Sequence, residues 1–183
     1  MDSQGRGTDW PRASLAELTR HIAEHHHVHT LAEAARLRRL ATRALRAEGG
    51  STRAEALARL RKALSRFRKE AKAHFALEEA VFFPFVRALE ALHGAPAPEP
   101  PSRRVRGAVR SIQIKHAELD KAMHEIMAML GDEPPPADGS EALRGLHEGL
   151  DALDADLREH IRLENHILFP RAVELEPGIN PVF

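Results

Sequence analysis

Apolar residues recur along this chain at alternating steps of three and four, the spacing of one face of an α-helix. One stripe runs Leu57, Leu60, Leu64, Phe67, Ala71, His74, Glu78, Val81, Phe85, and a second runs Leu143, Leu146, Leu150, Leu153, Leu157, His160, Glu164, Ile167. A third runs Val105, Val109, Ile112, His116, Leu119, Met123, Ile126, Leu130. The N-terminal segment divides between two stripes. His27, Leu31, Ala34, Ala41 and Leu45 are interrupted by Arg38; Leu15, Leu18, Ile22, His26, Leu37, Leu40 and Ala44 are flawed by Glu33. Periodicity leaves His26 and His27 level.

Helix-ending signals divide these stripes into four rods. Ser14 with Glu17 forms a capping-box signature, which predicts a helix from there to Glu48, where Gly49-Gly50 ends it. Ser51 or Thr52 caps a second helix that runs to about His93, with Pro84 expected to bend it because it deletes a backbone hydrogen bond. Gly94 to Pro101 reads as a stiff connector, and the third helix runs from about Ser102 to Leu130. Gly131 to Gly139 links it to a fourth helix starting near Ser140. Residues 1–13 are expected to be a flexible arm with Trp10 as its one anchor, and residues 14–183 a single domain. Four long helices with short links predict an all-α, up-down-up-down four-helix bundle.

Composition narrows the chemistry. The chain has 183 residues, zero formal net charge, no cysteine and no tyrosine. Thiolate ligands, cysteine nucleophiles and phenolate ligands are therefore excluded, and no whole-molecule field attracts nucleic acid. The arginines at 36, 38, 39, 43, 46, 59, 61, 66 and 68 read as solvated helix faces. No apolar run reaches membrane-spanning length and the first residues lack a signal-peptide core, so a cytoplasmic protein is expected, with neither nucleic acid nor membrane as partner.

Against this background one template occurs twice. His74 to Pro84 and His160 to Pro170 both read H-x-x-L-E-x-x-x-x-F-P. Each puts a histidine and a glutamate one helical turn apart on one face, in mid-seam, where an unpartnered carboxylate costs several kcal/mol or more. No lysine or arginine lies on either seam, so a metal cation is the natural countercharge. Heights agree as well. His74 is 22 residues from Thr52, a rise of about 33 Å, and the same distance back from the end of the first helix reaches His25, His26 and His27. All four helices thus bring histidine to one level.

The segment Leu15-Ala-Glu-Leu-Thr-Arg-His21-Ile-Ala-Glu-His-His-His27, the two H-x-x-L-E copies and Lys115-His116-Ala-Glu-Leu together resemble the hemerythrin-like family with its HHE cation-binding domain, most closely its repair-of-iron-centres branch. The resemblance spans about Leu15 to Val173. It implies a hemerythrin-like bundle with His27 as the first-helix ligand, and a metal set of His27, His74, Glu78, His116, His160 and Glu164. It also implies two iron ions joined by carboxylate and oxo or hydroxo bridges, the same donors accepting manganese or zinc. Each ion would receive two imidazoles and two carboxylate oxygens. The expected function is binding of dioxygen, nitric oxide or reactive oxygen species in a stress response or in repair of iron–sulfur clusters, with iron–sulfur proteins as partners. A reversible oxygen or redox sensor or carrier, and a structural metal-binding bundle, are the alternatives. The His-then-Glu order differs from the Glu-x-x-His of ferritin-like bundles, which places oxidase readings lower. Two departures stand out: Lys115 occupies a position where the family often has an acid, and these residues contain no counterpart of the cysteine-bearing N-terminal domain of many repair-type members.

Overall fold

A computed structural model describes residues 8–48, 52–92, 104–131 and 140–175. They form four rods. The first is α1 (Leu15–His21), a π-helical turn π1 (Ile22–His27) and α2 (Val28–Glu48). The second is α3 (Thr52–Leu77), π2 (Glu78–Phe82) and α4 (Phe83–Leu92). The third is the uninterrupted α5 (Arg104–Leu130), and the fourth is α6 (Glu141–Leu163), π3 (Glu164–Leu168) and α7 (Phe169–Glu174). The first rod packs on the second and fourth, and α5 packs on α3 and α6, which closes an up-down-up-down four-helix bundle. No helix among the described residues is long and apolar enough to cross a membrane.

The starts of the first and fourth rods follow their capping residues. Ser14 accepts from the Glu17 backbone N–H while the Glu17 carboxylate accepts from the Ser14 N–H, and Ser140 caps α6 through the Leu143 N–H. Residues 8–13 turn back onto the bundle: Trp10 stacks on His21 with ring centres 4.2 Å apart, and Arg171 donates to the carbonyls of Trp10 and Ala13. Gly49-Gly50, Ser51, the Gly94–Pro101 connector, most of the Gly131–Gly139 link, and residues 1–7 and 176–183 lie outside the described residues.

The π turns are what the periodicity did not foresee. In π2 and π3 the chain closes with a five-residue hydrogen bond, Phe83 N–H to Glu78 O and Phe169 N–H to Glu164 O, each immediately before a proline. Proline lacks an N–H and its ring collides with the carbonyl four residues back, so a widened turn relieves what a straight helix would not. Each such turn shifts the inward face by one residue. The stripe read through Val81 and Phe85 is accordingly corrected: Val81 is 59% exposed, while Phe82, Phe83 and Val86 are buried. The same shift explains the two competing stripes of the first helix. Leu15 and Leu18 before π1 and Ile22 at its start are buried, and after a five-residue step the seam resumes at His27 and continues through Thr30, Ala34, Leu37, Ala41 and Ala44.

Two apolar cores result. One joins Leu37, Leu57, Leu64, Phe67, Leu119, Met123, Leu150 and Leu157 among others. The other joins Leu15, Ile22, Phe82, Phe83, Val109, Leu163 and Phe169 among others. The polar layer lies between them.

Candidate metal centre

His27, His74, Glu78, His116, His160 and Glu164 are all buried and face one another in this layer. The His/Glu pairs arise from the four-residue spacing at the ends of α3 and α6: His74 Nε2 is 3.1 Å from Glu78 Oε1 and His160 Nε2 is 3.4 Å from Glu164 Oε1. The single histidines reach across the bundle. His27 Nε2 lies 3.4 Å from Glu78 Oε2, and His116 Nε2 lies 3.0 Å from Glu164 Oε2 and 3.5 Å from Glu78 Oε1.

Each glutamate thus turns one oxygen toward each side. Donor atoms of His27, Glu78, His160 and Glu164 lie within 4.8 Å of one another, as do those of His74, Glu78 and His116; Glu164 reaches this second group through His116. His27 and His160 face one side of the carboxylate pair and His74 and His116 the other. None of the four Nε2 atoms and four carboxylate oxygens has a hydrogen-bond partner, though all are buried. A buried polar atom left unpaired costs about 1–3 kcal/mol, so eight in one layer is an arrangement a fold does not keep without a ligand for them. Imidazole and carboxylate are the donors that divalent transition metals take, and the donor set fits two such ions.

Electrostatics agree with this. Burial, with His160 close by, holds His27 down at about 2, so its imidazole is neutral, the form that coordinates a metal. For Glu164, burial would raise the pKa, but His160 and His116 overcome it and hold the carboxyl well below its usual range. Burial pushes His116 down, and contacts with Glu164 and Glu78 outweigh it and lift the ring to about 9.

Two of the rings are held from behind. His27 Nδ1 is 2.7 Å from Glu79 Oε1, and the ring lies flat on Phe75, centres 4.0 Å apart, with Phe83 at 5.7 Å. His116 stacks on Phe169 at 5.9 Å. Neither Glu70, Asp120 nor Glu159 is hydrogen-bonded to a histidine of this layer among the described contacts; Glu159 is paired with Arg162. Glu79 was missed because a straight helix turns it away, whereas it sits inside π2; the Glu78-Glu79 doublet was the available signal. His26 points outward from the layer and its Nδ1 meets Asp156 Oδ1 at 2.8 Å. The structure thereby separates the two neighbouring histidines that periodicity left level.

Clefts of differing polarity approach the layer. An apolar one of about 430 Å³ reaches His74 and Glu78 past Leu77, Val81, Phe82 and Ile112, with Lys115 on its wall. A more polar one of about 310 Å³ reaches His116 past Asp120, Arg158 and Asn165.

Comparison with known proteins matches residues 18–172 to the hemerythrin HHE cation binding domain. Among curated proteins the chain is similar to the iron-sulfur cluster repair protein YtfE of Edwardsiella ictaluri (strain 93-146), 28% identical over 165 residues. It is also similar to the proteins of that name from Escherichia coli O81 (strain ED1a), at 27%, and Salmonella schwarzengrund (strain CVM19633), at 26%. Each alignment covers 90% of this chain and 69% of the relative. With the match extending over all four rods and the buried His/Glu layer inside it, the chain belongs to the hemerythrin HHE cation-binding family.

Proposed function

We propose that this chain holds two iron ions between Glu78 and Glu164 and uses them to handle a small diatomic ligand, dioxygen or nitric oxide, in the service of iron–sulfur cluster repair. The observation that carries the reading is the set of eight buried, unpaired donor atoms divided into two facing groups. His27 and His160 would hold one ion and His74 and His116 the other, with one oxygen of each glutamate to each. Iron so held would supply one-electron redox change and Lewis acidity toward the diatomic. The repair role is supported by the relatives named for it.

The rest is done by the chain's own residues. Glu79 fixes which nitrogen of His27 faces inward, and Phe75 and Phe83 fix the plane of that ring. Phe82, Phe83 and Phe169 keep bulk water from the layer on its α4 and α7 side. The apolar cleft ending at His74 and Glu78 admits an uncharged diatomic more readily than a hydrated ion, which favours this ligand class.

The test is anaerobic loading with ferrous iron, metal analysis, and incubation with a cluster-depleted iron–sulfur enzyme. Two iron ions per chain and recovery of the enzyme's activity are expected. Two tightly kept ions with no recovery would overturn the repair role; a spectrum that forms with dioxygen and reverses under vacuum would assign the centre to reversible binding instead.

A further inference from the structure

The outer face of π1 carries a second group of histidines that the buried layer does not use. In a regular α-helix His21 and His25 share a face and His26 lies about 100° round from His25. In a π turn residues five apart also come together, so both neighbours return beside His21. The ring centres of His21 and His25 are 4.6 Å apart, and those of His21 and His26 are 5.2 Å apart. Two imidazoles on one ion have nitrogens about 2.1 Å from it and ring centres about 1.1 Å farther out, which at angles of about 90–110° sets the centres about 4.5–5.3 Å apart. Both observed separations fall in that range.

Carboxylates face this group from α6. Asp156 is engaged by His26 and Thr30, and both oxygens of Glu159 are held by Arg162, so these acids add negative charge nearby without being free to bind. His25 is exposed and His21 half-buried, so the group is open to solvent, and Trp10 covers one side of His21. The ring of His26 links the group to the buried layer, its centre 5.2 Å from that of His21 and 6.0 Å from that of His160.

We propose that His21 and His25 form an exposed site for one divalent transition-metal ion, distinct from the buried pair, where an ion rests on its way into or out of the centre. Imidazole is a donor such ions take readily, and water completes the shell of an exposed one. Three or more donor atoms already converge only in the two buried groups among the described residues. The outer site closes when the exposed ring of His25 turns toward an ion, which makes it the weaker and faster-exchanging of the sites. The staging role rests on the proposed iron-loaded centre; the existence of the outer site does not.

Trp10, the chain's single tryptophan, is a built-in reporter at 4.2 Å from His21. Metal-free protein is titrated with cobalt(II) under argon, following Trp10 fluorescence and, by equilibrium dialysis, the number of ions bound. Two tightly bound ions are expected, then a third at least tenfold weaker, with most of the quenching in the third step. The His21→Gln/His25→Gln double variant keeps the first two, which also reports that it is folded, and loses the third with its quenching. Wild-type protein that stops at two ions, or a double variant that still takes a third, overturns the site. A single weak ion that quenches Trp10, with no tight pair, would sustain this site and sink the buried centre. For the staging role, transfer of the tight pair to excess chelator should be several-fold slower in the double variant, and equal rates would refute it.

Discussion

Replacing Glu79 by alanine tests whether the layer is tuned from behind. The Glu79 carboxylate accepts from His27 Nδ1 at 2.7 Å, which leaves the lone pair on Nε2 aimed at the space beside Glu78 Oε2, 3.4 Å away. Without that partner the ring keeps its stacking on Phe75 but loses its fixed tautomer and some basicity. Removing such an outer partner typically costs 10- to 100-fold in metal affinity, about 1.4–2.7 kcal/mol. Because the Glu79 side chain is 47% exposed, water replaces part of what is lost, and the expected cost is the lower end, about ten- to thirtyfold. Anaerobic competition between the protein and a coloured ferrous chelator measures it, and the ion beside His27 and His160 should be the one that weakens more. Glu79→Gln, which retains an acceptor oxygen, should fall between. Asp156→Ala, which frees His26 instead, should leave the buried ions unaffected. An unchanged affinity in Glu79→Ala would show that His27 is not a ligand or that the carboxylate does not orient it.

Other consequences follow from the same geometry. His116 is lifted to about 9 and carries a proton at neutral pH in the metal-free chain, so loading at pH 7 should release about one proton per chain. Apparent affinity should then climb about tenfold per pH unit until about pH 9 and level off, as measured by calorimetry in two buffers of different protonation enthalpy. In the metal-free protein the raised value stabilises the fold below the ordinary histidine value of 6.5, and that contribution is lost as pH rises through about 9. Phe82→Ala should cost about 3–5 kcal/mol in denaturant unfolding and Val81→Ala less than about 0.5, the reverse of what a straight helix through Glu78 would give. Gly149→Ala should destabilise by about 1–2 kcal/mol despite alanine's better helix propensity, because its Cβ would meet Arg36 and lie 2.5 Å from Leu37 Cδ2 and 2.8 Å from Glu33 Oε1. A neutral result there would mean that the ends of Arg36, Leu37 and Glu33 swing aside at little cost.

Most of the fold is written in the stripes because helices three turns and longer repeat their apolar face many times, and each repeat averages out a local flaw. The third stripe, from Val105 to Ile126, is buried at every position because α5 has no π turn. The His/Glu pairs of α3 and α6 were equally legible, since four-residue spacing is local and a buried acid has few explanations. What the stripes did not show are the one-residue shifts. They made Val81 look inward, kept His26 level with His27, and hid Glu79, because a period counted at 3.6 residues carries no term for an inserted residue. The prolines at 84 and 170 stand just after two of the three shifts, although Pro84 suggested a bend rather than a widened turn. The first shift, in π1, has no proline and shows only as two half-stripes out of phase.

The most direct test of the central claim is anomalous diffraction at the iron edge from crystals grown with ferrous iron. Two peaks are predicted in the polar layer, both between Glu78 and Glu164, one beside His27 and His160 and the other beside His74 and His116. A single peak, or iron found only outside that layer, would contradict the account.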